Sequence, residues 1–527
     1  MAAPLAPPAI DSPPPGVRVA AYHARTKHRF EAYAAGPSTL DWDAQPAPFR
    51  HYAGAPRVAL PLARQHAPLP AAPAIPGLAS LGALLHLSFG ITAWKTLGPD
   101  RWAVRANPSS GNLHPVETYV LVAGIAGLLD GLYHYCPEDH SLELRAAHDR
   151  PFAPGPAIAL GLSCLMWREA WKYGERAFRY CQLDTGHALA GIHYAAATQG
   201  WGAVRVEGVG HATLGALLGL DRIDEFPGKR AEVTLEEPEL LVCLQLAPGR
   251  AAPLPDGADL QAVAQESRWY GVASQVDRFP MFRWPVVAEV AAASRGADGA
   301  VVDAPALDIP YAHPPALLLQ RRSAQRFDGS HTFPAAAFAR LVAALVAMPG
   351  RIGLLLFIHR VEGLAPGLYL LPRGEDGPEL LVQAARQGAL APVEGYGTAL
   401  YQLQASEASA WKRLVRSLHC HQEIAAQSCL ALGMLARFTP GVEQAPALYR
   451  RLLQEAGFLG QMLYLEAEAA GVRGTGIGCF FDDPVHAQLG LDDTGFQSLY
   501  HFTLGLPVDD ARIETGPAYP HRTETQP

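Results

Sequence analysis

Runs of apolar and β-branched residues alternate along this chain with longer stretches of mixed character. The apolar runs predict strands at residues 116–123, 240–246, 353–359 and 500–506. Two long stretches, 184–200 and 455–471, each begin with an acidic residue and end at a glycine, which predicts a helix in both places, and a shorter helix is expected at 285–294. Helices and strands mixed without a regular alternation favour an α+β fold.

The two long predicted helices belong to an internal repeat. The spacing from Gly186 to Gly200 is 14 residues and from Gly200 to Gly219 is 19, and the spacings 457–471 and 471–490 in the second copy are the same. Both blocks close in Leu-Gly-Leu-Asp, at 218–221 and 489–492. Two further motif pairs occur upstream in the same order, 127–133 with 363–369 and 25–30 with 322–327. Three matched motifs in one order predict a duplication.

The repeat divides the chain into four parts. We expect a first domain at 1–246, a connector rich in Pro, Ala and Asp at 247–310, a second domain at 311–515 and a flexible tail at 516–527. A length of 527 residues agrees, because single cores stop growing near about 250–300 residues. The copies are unequal: 101 residues separate Phe30 from Gly131 but only 40 separate Phe327 from Gly367, so the second copy lacks 61 residues (101 − 40).

Composition excludes several classes of protein. Hydrophobic residues make up 49%, charged residues 17%, and the net charge is -8, which is typical of a globular protein and unlike a nucleic-acid-binding one. The absence of a long apolar run or an apolar leader predicts no membrane association and a cytoplasmic location. Seven scattered cysteines predict reduced thiols and no disulfide framework. No metal is expected, because neighbouring residues of a helix, such as 419–421 (His-Cys-His), cannot converge on one ion.

The first candidate site motif is Pro-Ser-Ser-Gly-Asn at 108–112. Hydroxyl, amide and exposed backbone groups in a turn tightened by proline and glycine suit hydrogen bonding to the polar edge of a flat heterocycle. The residues concerned are Pro108, Ser109, Ser110, Gly111 and Asn112. A plain loop with a helix N-cap is the alternative.

Two further motifs lie in the second copy. Arg321, Arg322 and Ser323 combine positive charge with a hydroxyl, which suits a phosphate, although a solvated helix start gives the same pattern. The stretch Gly-Thr-Gly-Ile-Gly at 474–478 predicts a flexible turn whose backbone N–H groups can approach a ligand closely. Its spacing is not that of a dinucleotide fingerprint. The residues concerned are Gly474, Thr475, Gly476, Ile477 and Gly478.

Together these motifs resemble the nitroreductase superfamily, in particular the branch of azoline-oxidising dehydrogenases from thiazole and oxazole peptide biosynthesis. Residues 108–112 are similar to its flavin-ring motif, 321–323 to its phosphate and ribityl clasp, and 474–478 to its loop beside the isoalloxazine ring. The stretch 171–180, followed by Asp184 and His187, is similar to a signature of that branch, in which a Lys-Tyr pair lies at the active site. The resemblance covers nearly all of both copies.

The resemblance implies FMN bound at a subunit interface, here fused into an intramolecular pseudo-dimer that is able to associate further. Because only the first copy keeps the Pro-Ser-Ser motif, one composite site is expected between 108–112 and the clasp of the second copy. The other pseudo-symmetric site, built from 25–27, 349–351 and 203–208, is expected to be empty or weak. Gln325 stands where the family usually has Arg or Lys, and Arg512 is the candidate that compensates for it.

The resemblance also implies an oxidoreductase that transfers hydride between flavin N5 and a small-molecule or peptide-derived substrate, with NAD(P)H as a candidate electron donor. Lys172 or Tyr173 is the candidate general base, provided that burial shifts its pKa; an exposed Lys beside a packed Tyr on an amphipathic helix is the alternative. The competing hypothesis is a non-catalytic or flavin-storing pseudoenzyme in a biosynthetic complex.

Overall fold

The computed structural model describes residues 13–247, 257–388, 390–397, 399–491 and 495–522. We refer to residues 13–310 as the first half and to residues 311–522 as the second half. The predicted mixture of helices and strands is confirmed, and each half is organised around one large sheet.

The first half contains two of the three strands of a small sheet and every strand of a large sheet. Its strands are β1 (Tyr52–Ala53), β2 (Arg57–Ala59), β3 (Ile91–Leu97), β4 (Asp100–Arg105), β5 (Val116–Ala123), β6 (Gly131–Cys136), β7 (Ser141–His148), β8 (Ala157–Cys164), β9 (Gly202–Arg205), β10 (Glu237–Gln245), β11 (Ser267–Trp269) and β12 (Val272–Ala273). Its helices are α1 (Pro15–Arg25), α2 (Leu78–Phe89), α3 (Trp167–Tyr173), α4 (Ala177–Ala197), α5 (His211–Leu217), α6 (Ala231–Thr234), α7 (Gly257–Gln265) and α8 (Pro285–Ala293).

The second half supplies the remaining elements. Its strands are β13 (Gly353–Ile358), β14 (Gly367–Leu371), β15 (Ala391–Pro392), β16 (Tyr401–Ala405), β17 (Leu430–Arg437), β18 (Arg473–Ile477), β19 (Phe496–Gly505) and β20 (Glu514–Gly516). Its helices are α9 (Pro315–Gln320), α10 (Ala335–Ala347), α11 (Gly377–Ala385), α12 (Ala408–Leu418), α13 (Glu423–Gln427), α14 (Gly441–Gln444), α15 (Leu448–Ala469) and α16 (Asp482–Ala487).

Six neighbouring strands have the same order in the two large sheets, and only the outermost strands, β11 and β15, differ in their place in the chain. The first runs β11-β7-β6-β5-β8-β10-β9 and the second runs β15-β16-β14-β13-β17-β19-β18, with antiparallel neighbours throughout. In each sheet the long central helix, α4 or α15, connects the corresponding pair of strands, β8 to β9 or β17 to β18.

The central strands are buried on both faces, which explains their continuous apolar character. Every residue of β5, β8 and β13 is buried. One face of each sheet packs into a shared core with α4 and α15, and the other face packs against its own outer helices, α5 and α7 in the first half and α11 and α12 in the second. Burial of apolar surface at about 25 cal/mol per Å² makes these layers the main source of stability.

The shared core depends on a close crossing of α4 and α15. A Cβ atom added at Gly186 would lie 2.0 Å from the carbonyl oxygen of Gln454, and one added at Gly457 would lie 2.0 Å from that of Leu183. The Gly457 Cβ position is also only 3.0 Å from Cα of Gly186. The two helices therefore meet backbone to backbone, at the first glycines of the repeated spacing.

The predicted helix at 184–200 is longer than expected. Helix α4 begins at Ala177, so Asp184 lies in its interior and is buried rather than near the N-terminus. The acidic residue is tolerated there because it binds groups outside the helix. The predicted ends hold, since Gly200 and Gly471 follow α4 and α15 with φ of 68° and 73°. The predicted strands and the helix at 285–294 agree with the structure within a few residues at their ends.

The connector and the tail are more ordered than a plain linker. Within 257–310, β11 extends the edge of the first sheet and β12 pairs with β1, while residues 248–256 lie outside the described part of the chain. In the tail, β20 pairs with β3, and Tyr519 is buried and hydrogen-bonds to Ile91 N and Pro137 O. Residues 516–522 are thus part of the packed fold, so a flexible tail was wrong for them. Residues 523–527 lie outside the part of the chain that the structure describes.

We predict that Gly457→Ala destabilises the protein, although alanine normally favours a helix interior. The new methyl group would collide with the backbone of α4, and such overpacking costs about 1–3 kcal/mol. The matched control is Gly191→Ala in α4, where the added Cβ would have no neighbour closer than 3.6 Å and should be neutral or stabilising by up to about 1 kcal/mol. Thermal unfolding of the two variants tests this, and equal midpoints would contradict a tight crossing.

Candidate active site

The Pro-Ser-Ser turn is anchored on the middle of α4. Ser109 Oγ donates to Asp184 Oδ2 at 2.6 Å, and Ser110 donates to Asp184 Oδ1 from its backbone N at 3.0 Å and its hydroxyl at 2.9 Å. Gly111 and Asn112 have φ of 59° and 60°, so the chain turns sharply at this point. The N-cap alternative fails because these serines bind a helix interior and not a helix start.

Burial opposes ionisation of Asp184. The carboxyl is almost fully buried, which raises its pKa to about 7 although the hydrogen bonds from Ser109 and Ser110 favour the charged form. Its protonation therefore changes near neutral pH, directly behind the turn.

Lys172 and Tyr173 lie against this turn. A Cβ at Gly111 would be 2.6 Å from Tyr173 Oη and 3.0 Å from Lys172 Nζ, so both side chains lie directly against the turn. Both side chains are partly exposed at the end of α3. Burial lowers the pKa of Lys172 and raises that of Tyr173 well above its usual value, so Lys172 is the better base of the two. The ring of Tyr173 lies 4.6 Å from that of Tyr180.

The clasp residue Arg321 joins the two halves. Its side chain is buried, and it donates from Nε to Ala106 O and from Nη2 to Arg105 O, both at 2.9 Å. These carbonyls come just before Pro108. The third nitrogen, Nη1, is buried and has no hydrogen-bond partner among the described residues. The guanidinium of Arg322 binds carbonyls including Thr92 O, also in the first half.

The predicted flexible turn at 474–478 is mostly an edge strand, β18, and this part of the sequence interpretation was wrong. Thr475 Oγ1 donates to Ala324 O at 2.6 Å, and Tyr464 Oη meets both Ser323 Oγ at 2.9 Å and Gly476 N at 3.1 Å. The clasp and the strand thus lie side by side. The glycines serve close packing: a Cβ at Gly476 would overlap Tyr500 Oη.

The end of this strand returns to the first half. Gly478 O accepts hydrogen bonds from Arg176 Nη2 at 2.6 Å and from Tyr180 Oη at 3.2 Å. His187 of α4 bonds to Tyr500 Oη at 3.1 Å. Residues 108–112, 172–173, 321–323 and 475–478 therefore surround one region between the halves. Sequence reasoning missed Tyr464 and Tyr500, because nothing in their local sequence shows that a hydroxyl is buried against a partner.

Two of the remaining predicted residues, Gln325 and Arg512, lie at the surface. Gln325 is exposed. Arg512 is exposed and binds Asp510, which follows β19, so the structure does not bring it to the clasp. Asn112 is turned inward, where it donates to Ala103 O at 3.0 Å.

The pseudo-symmetric region on the other side of α4 and α15 contains charged side chains. Equal spacing from Gly200 and Gly471 places Arg205 in the register of Gly476, and Arg205 Nη1 donates to Gln454 Oε1 at 2.5 Å. Arg451 binds Glu207 nearby at 2.6 Å. Burial and the neighbouring Arg451 lower the pKa of Arg205 to about 9. Arg25, whose side chain is 60% exposed, pairs with Glu175.

Two polar clusters bear on the metal prediction. His419, Cys420 and His421 follow α12 in a turn with positive φ at the last two, so the helical argument made for them was wrong. Within the described ranges, His51, Cys136 and Glu143 bring potential ligand atoms together, but the guanidinium of Arg57 already hydrogen-bonds to all three. A fixed cation there disfavours a metal ion. The seven cysteines are free.

Comparison with known proteins supports an oxidoreductase of the nitroreductase family. The family model described as "Nitroreductase family" matches residues 96–228, which include the Pro-Ser-Ser turn and most of the first large sheet. A protein of Methanocaldococcus jannaschii whose name assigns it to the nitroreductases is 31% identical over 140 residues, covering 24% of this chain and 67% of that protein. The chain belongs to the nitroreductase family.

Two further proteins are similar to this chain. The trifolitoxin-processing protein TfxB of Rhizobium leguminosarum bv. trifolii is 32% identical over 106 residues, covering 16% of this chain and 27% of that protein. A crystal structure from Anabaena variabilis, described as that of a nitroreductase, covers 93% of this chain and 99% of its own with a TM-score of 0.64 at 21% identity, which shows that the fold of both halves is shared. None of the helices in the described ranges is long and apolar enough to span a membrane.

We predict that Asp184→Asn lowers the free energy of unfolding, and that this loss decreases as the pH rises from about 4 to about 7. The folded-state pKa of Asp184, about 7, lies above the ordinary 3.8, so the wild-type carboxyl stabilises the fold most when protonated and loses this contribution through that range. The change is at most about 1.4 kcal/mol per pH unit. Unfolding of both proteins at pH 5, 6 and 7 measures it, with the surface change Asp224→Asn as control. A pH-independent difference would contradict the raised pKa.

Proposed function

We propose that this chain is an FMN-dependent oxidoreductase formed by a tandem duplication, with one composite flavin site between its halves. The observation that carries the proposal is Arg321: it belongs to the second half, binds the carbonyls of Arg105 and Ala106 in the first, and keeps one buried nitrogen without a partner in the described structure. A buried guanidinium nitrogen is stable only with a hydrogen-bond acceptor, and a phosphate or carbonyl oxygen of a ligand would supply one.

Two equivalent acidic residues support the duplication. Asp184 in α4 accepts the backbone N–H of Ser110, and Glu455, its counterpart in α15, accepts those of Arg351 and Ile352 at 2.8 and 2.9 Å. Both acids thus hold the turn that precedes the first central strand of a half, β5 or β13. Shared strand order and shared anchoring together argue for two copies of one module.

The residues present fit FMN in their chemistry. Arg321, Arg322 and Ser323 would hold the phosphate and ribityl chain through guanidinium and hydroxyl groups, and the turn with Ser109 and Ser110 would supply polar groups to the ring. The glycines of 474–478 allow the backbone to approach a flat ring. Gln325 and Arg512 are the weaker members of the proposed set, since both are exposed. Bound FMN supplies two-electron redox chemistry at its N5 position.

The amine of Lys172 is the proposed base. It lies beside the turn at Gly111, it is partly exposed so that a substrate can reach it, and its lowered pKa increases the fraction of free amine. Tyr173 Oη lies equally close to the turn and is the proposed orienting group, because its raised pKa keeps the phenol protonated.

The substrate that we propose is peptide-derived or a comparable small molecule. The support is the 32% identity to a protein named for trifolitoxin processing, together with the Lys172-Tyr173 pair of the resemblance. That match covers 27% of the related protein, so substrate and partners remain part of the proposal. NAD(P)H is the candidate electron donor if the enzyme works as a reductase.

The second pseudo-symmetric site is proposed to hold no flavin. Arg205 occupies the register of Gly476, it hydrogen-bonds to Gln454, and Arg451 pairs with Glu207, so charged side chains replace the glycine backbone proposed for the first site. The corresponding turn at 349–351 also lacks the paired serines. We therefore propose one flavin site for each chain.

We predict that Arg322→Glu abolishes flavin absorbance whereas Arg25→Glu retains it. The first change places a negative charge in the proposed phosphate clasp, and the second affects only an exposed partner of Glu175. Absorbance of the purified variants at the flavin bands tests this prediction. Circular dichroism checks that the variants are folded. Loss of flavin in the Arg25 variant alone would reverse the assignment of the two sites.

We also predict that Lys172→Ala and Tyr173→Phe keep FMN but lose catalysis. Removal of the general base in Lys172→Ala should lower the rate by about 10²–10⁴-fold. Loss of the orienting phenol in Tyr173→Phe should lower it as well, and neither side chain belongs to the clasp. Bleaching of the yellow protein by NAD(P)H would indicate a reductase, and yellow protein inert to NAD(P)H a dedicated dehydrogenase. Colourless protein that FMN cannot reconstitute would instead support the pseudoenzyme hypothesis.

A further inference from the structure

The region around Arg205 encloses a cavity for which neither the fold nor the proposed flavin site has a use. Its volume is about 50 Å³. A water molecule needs only about 10–15 Å³ of such space, so the cavity has room for several waters or for one small polyatomic ion. It lies between the halves, because both contribute to its walls. The charged and titratable side chains that line it are Arg205, Glu207, His211, Glu239, Arg450 and Arg451.

Two carboxylates in this region are already paired with two arginines. Arg450 binds Glu237 and Glu239, each at 2.7 Å, and Arg295 binds Glu237 at 2.5 Å. Every nitrogen of the Arg450 guanidinium donates to protein, since its Nε binds Ser294 Oγ at 2.9 Å. These four charged side chains carry two positive and two negative charges, so they compensate one another and leave no negative charge for the rest of the cavity.

The third carboxylate of the region is shared by two further arginines. Arg451 Nη1 donates to Glu207 Oε1 at 2.6 Å, whereas Arg205 Nε lies 3.7 Å from the same oxygen, beyond hydrogen-bond distance. Within the described ranges, the guanidinium of Arg205 hydrogen-bonds to the uncharged amide of Gln454. The Arg205 side chain is only 20% exposed. One positive charge is therefore in excess, on a mostly buried guanidinium without a hydrogen-bonded counter-ion, which is costly.

His211 adds a donor that lacks an acceptor. Its Nδ1 accepts the backbone N–H of Gly296 at 3.0 Å, so the proton of the neutral ring is on Nε2. Burial lowers the pKa of His211 to about 3, which keeps the ring neutral near pH 7. The Nε2 atom is buried and has no hydrogen-bond partner in the described part of the chain. Buried donors are normally paired, and here the acceptor has to come from a ligand or from water.

We propose that this cavity binds a small oxyanion of the phosphate class. Such an ion presents several acceptor oxygens to the donors of Arg205, Arg451 and His211, and its negative charge compensates the excess guanidinium. Arg205 is in the register of Gly476, so the cavity corresponds to the ring-side strand of the first site and not to its phosphate clasp. The inference therefore does not depend on the proposed flavin site.

A bound oxyanion would also connect the two halves. Arg205 and His211 belong to the first half and Arg451 to the second, so one ion would accept hydrogen bonds from both. A ligand that binds the folded chain and not the unfolded chain raises stability as its concentration increases. Phosphate should therefore stabilise the protein, and this effect should depend on the arginines of the cavity.

Thermal unfolding at constant ionic strength tests the proposal. We expect the unfolding midpoint of the wild type to rise when millimolar phosphate replaces chloride. In Arg451→Gln phosphate should bind about tenfold more weakly or worse, because one charged donor is lost. In Glu207→Gln it should bind more tightly, because the competing carboxylate is removed. The matched control is Arg386→Gln, which changes an exposed arginine that bonds to Gln383 and should respond like the wild type.

The outcomes separate this site from the proposed flavin clasp. A response to phosphate that is lost in Arg322→Gln but kept in Arg451→Gln would assign the ion to the clasp and overturn the inference. No response in the wild type, or an equal response in all variants as a general salt effect gives, would also overturn it. A response lost in Arg451→Gln alone supports it, whether or not the protein takes up FMN. Glycerol phosphate, tested in parallel, then shows whether the site accepts the phosphate group of a larger molecule or the free ion alone.

Discussion

The close crossing of α4 and α15 at Gly186 and Gly457 is the constraint on which the rest of the structure depends. Because no side chain separates the helix backbones there, groups on one helix reach the sheet of the other half. His187 reaches Tyr500, and Tyr180 reaches Gly478 O, only at this separation. A wider crossing would pull apart the segments that surround the candidate site, since they come from both halves.

Buried charges complement the glycine contact. Arg450 of the second half binds Glu237 and Glu239 of the first at 2.7 Å, and Arg179 of the first binds Asp482 of the second at 3.2 Å. Such pairs gain little over apolar packing, but removal of one partner leaves a buried charge that costs about 3–5 kcal/mol. They therefore restrict the ways in which the halves can associate, whereas the apolar core supplies the net stability.

The central strands could be predicted from sequence because burial on both faces leaves a continuous apolar run, and β5 coincides with the predicted 116–123. The start of α4 could not, since Arg176 and Arg179 look like surface residues until their acceptors, Thr26 O and the Asp482 carboxylate, are known. The sequence predicted a turn at β18 because glycines are common in flexible turns. In the structure these glycines make room for the side chains of Phe502, Tyr500 and Tyr180. In each case the missing information was the identity of a distant partner. The motifs at 108–112 and 321–323 could be found because the residues that define each motif are consecutive in the sequence.

The asymmetry of the two halves has a physical consequence under the proposed duplication. The second half needs glycine at the position of Gly476, because a Cβ atom there would overlap Tyr500 Oη. The other copy, freed from that need, carries Arg205, which together with Arg450 and Arg451 meets the carboxylates of Glu207, Glu237 and Glu239. Arg295 also binds Glu237, so four guanidinium groups and three carboxylates lie together in this region. Its ion pairs join residues of the first half to Arg450 and Arg451 of the second, so the region is part of the contact between the halves.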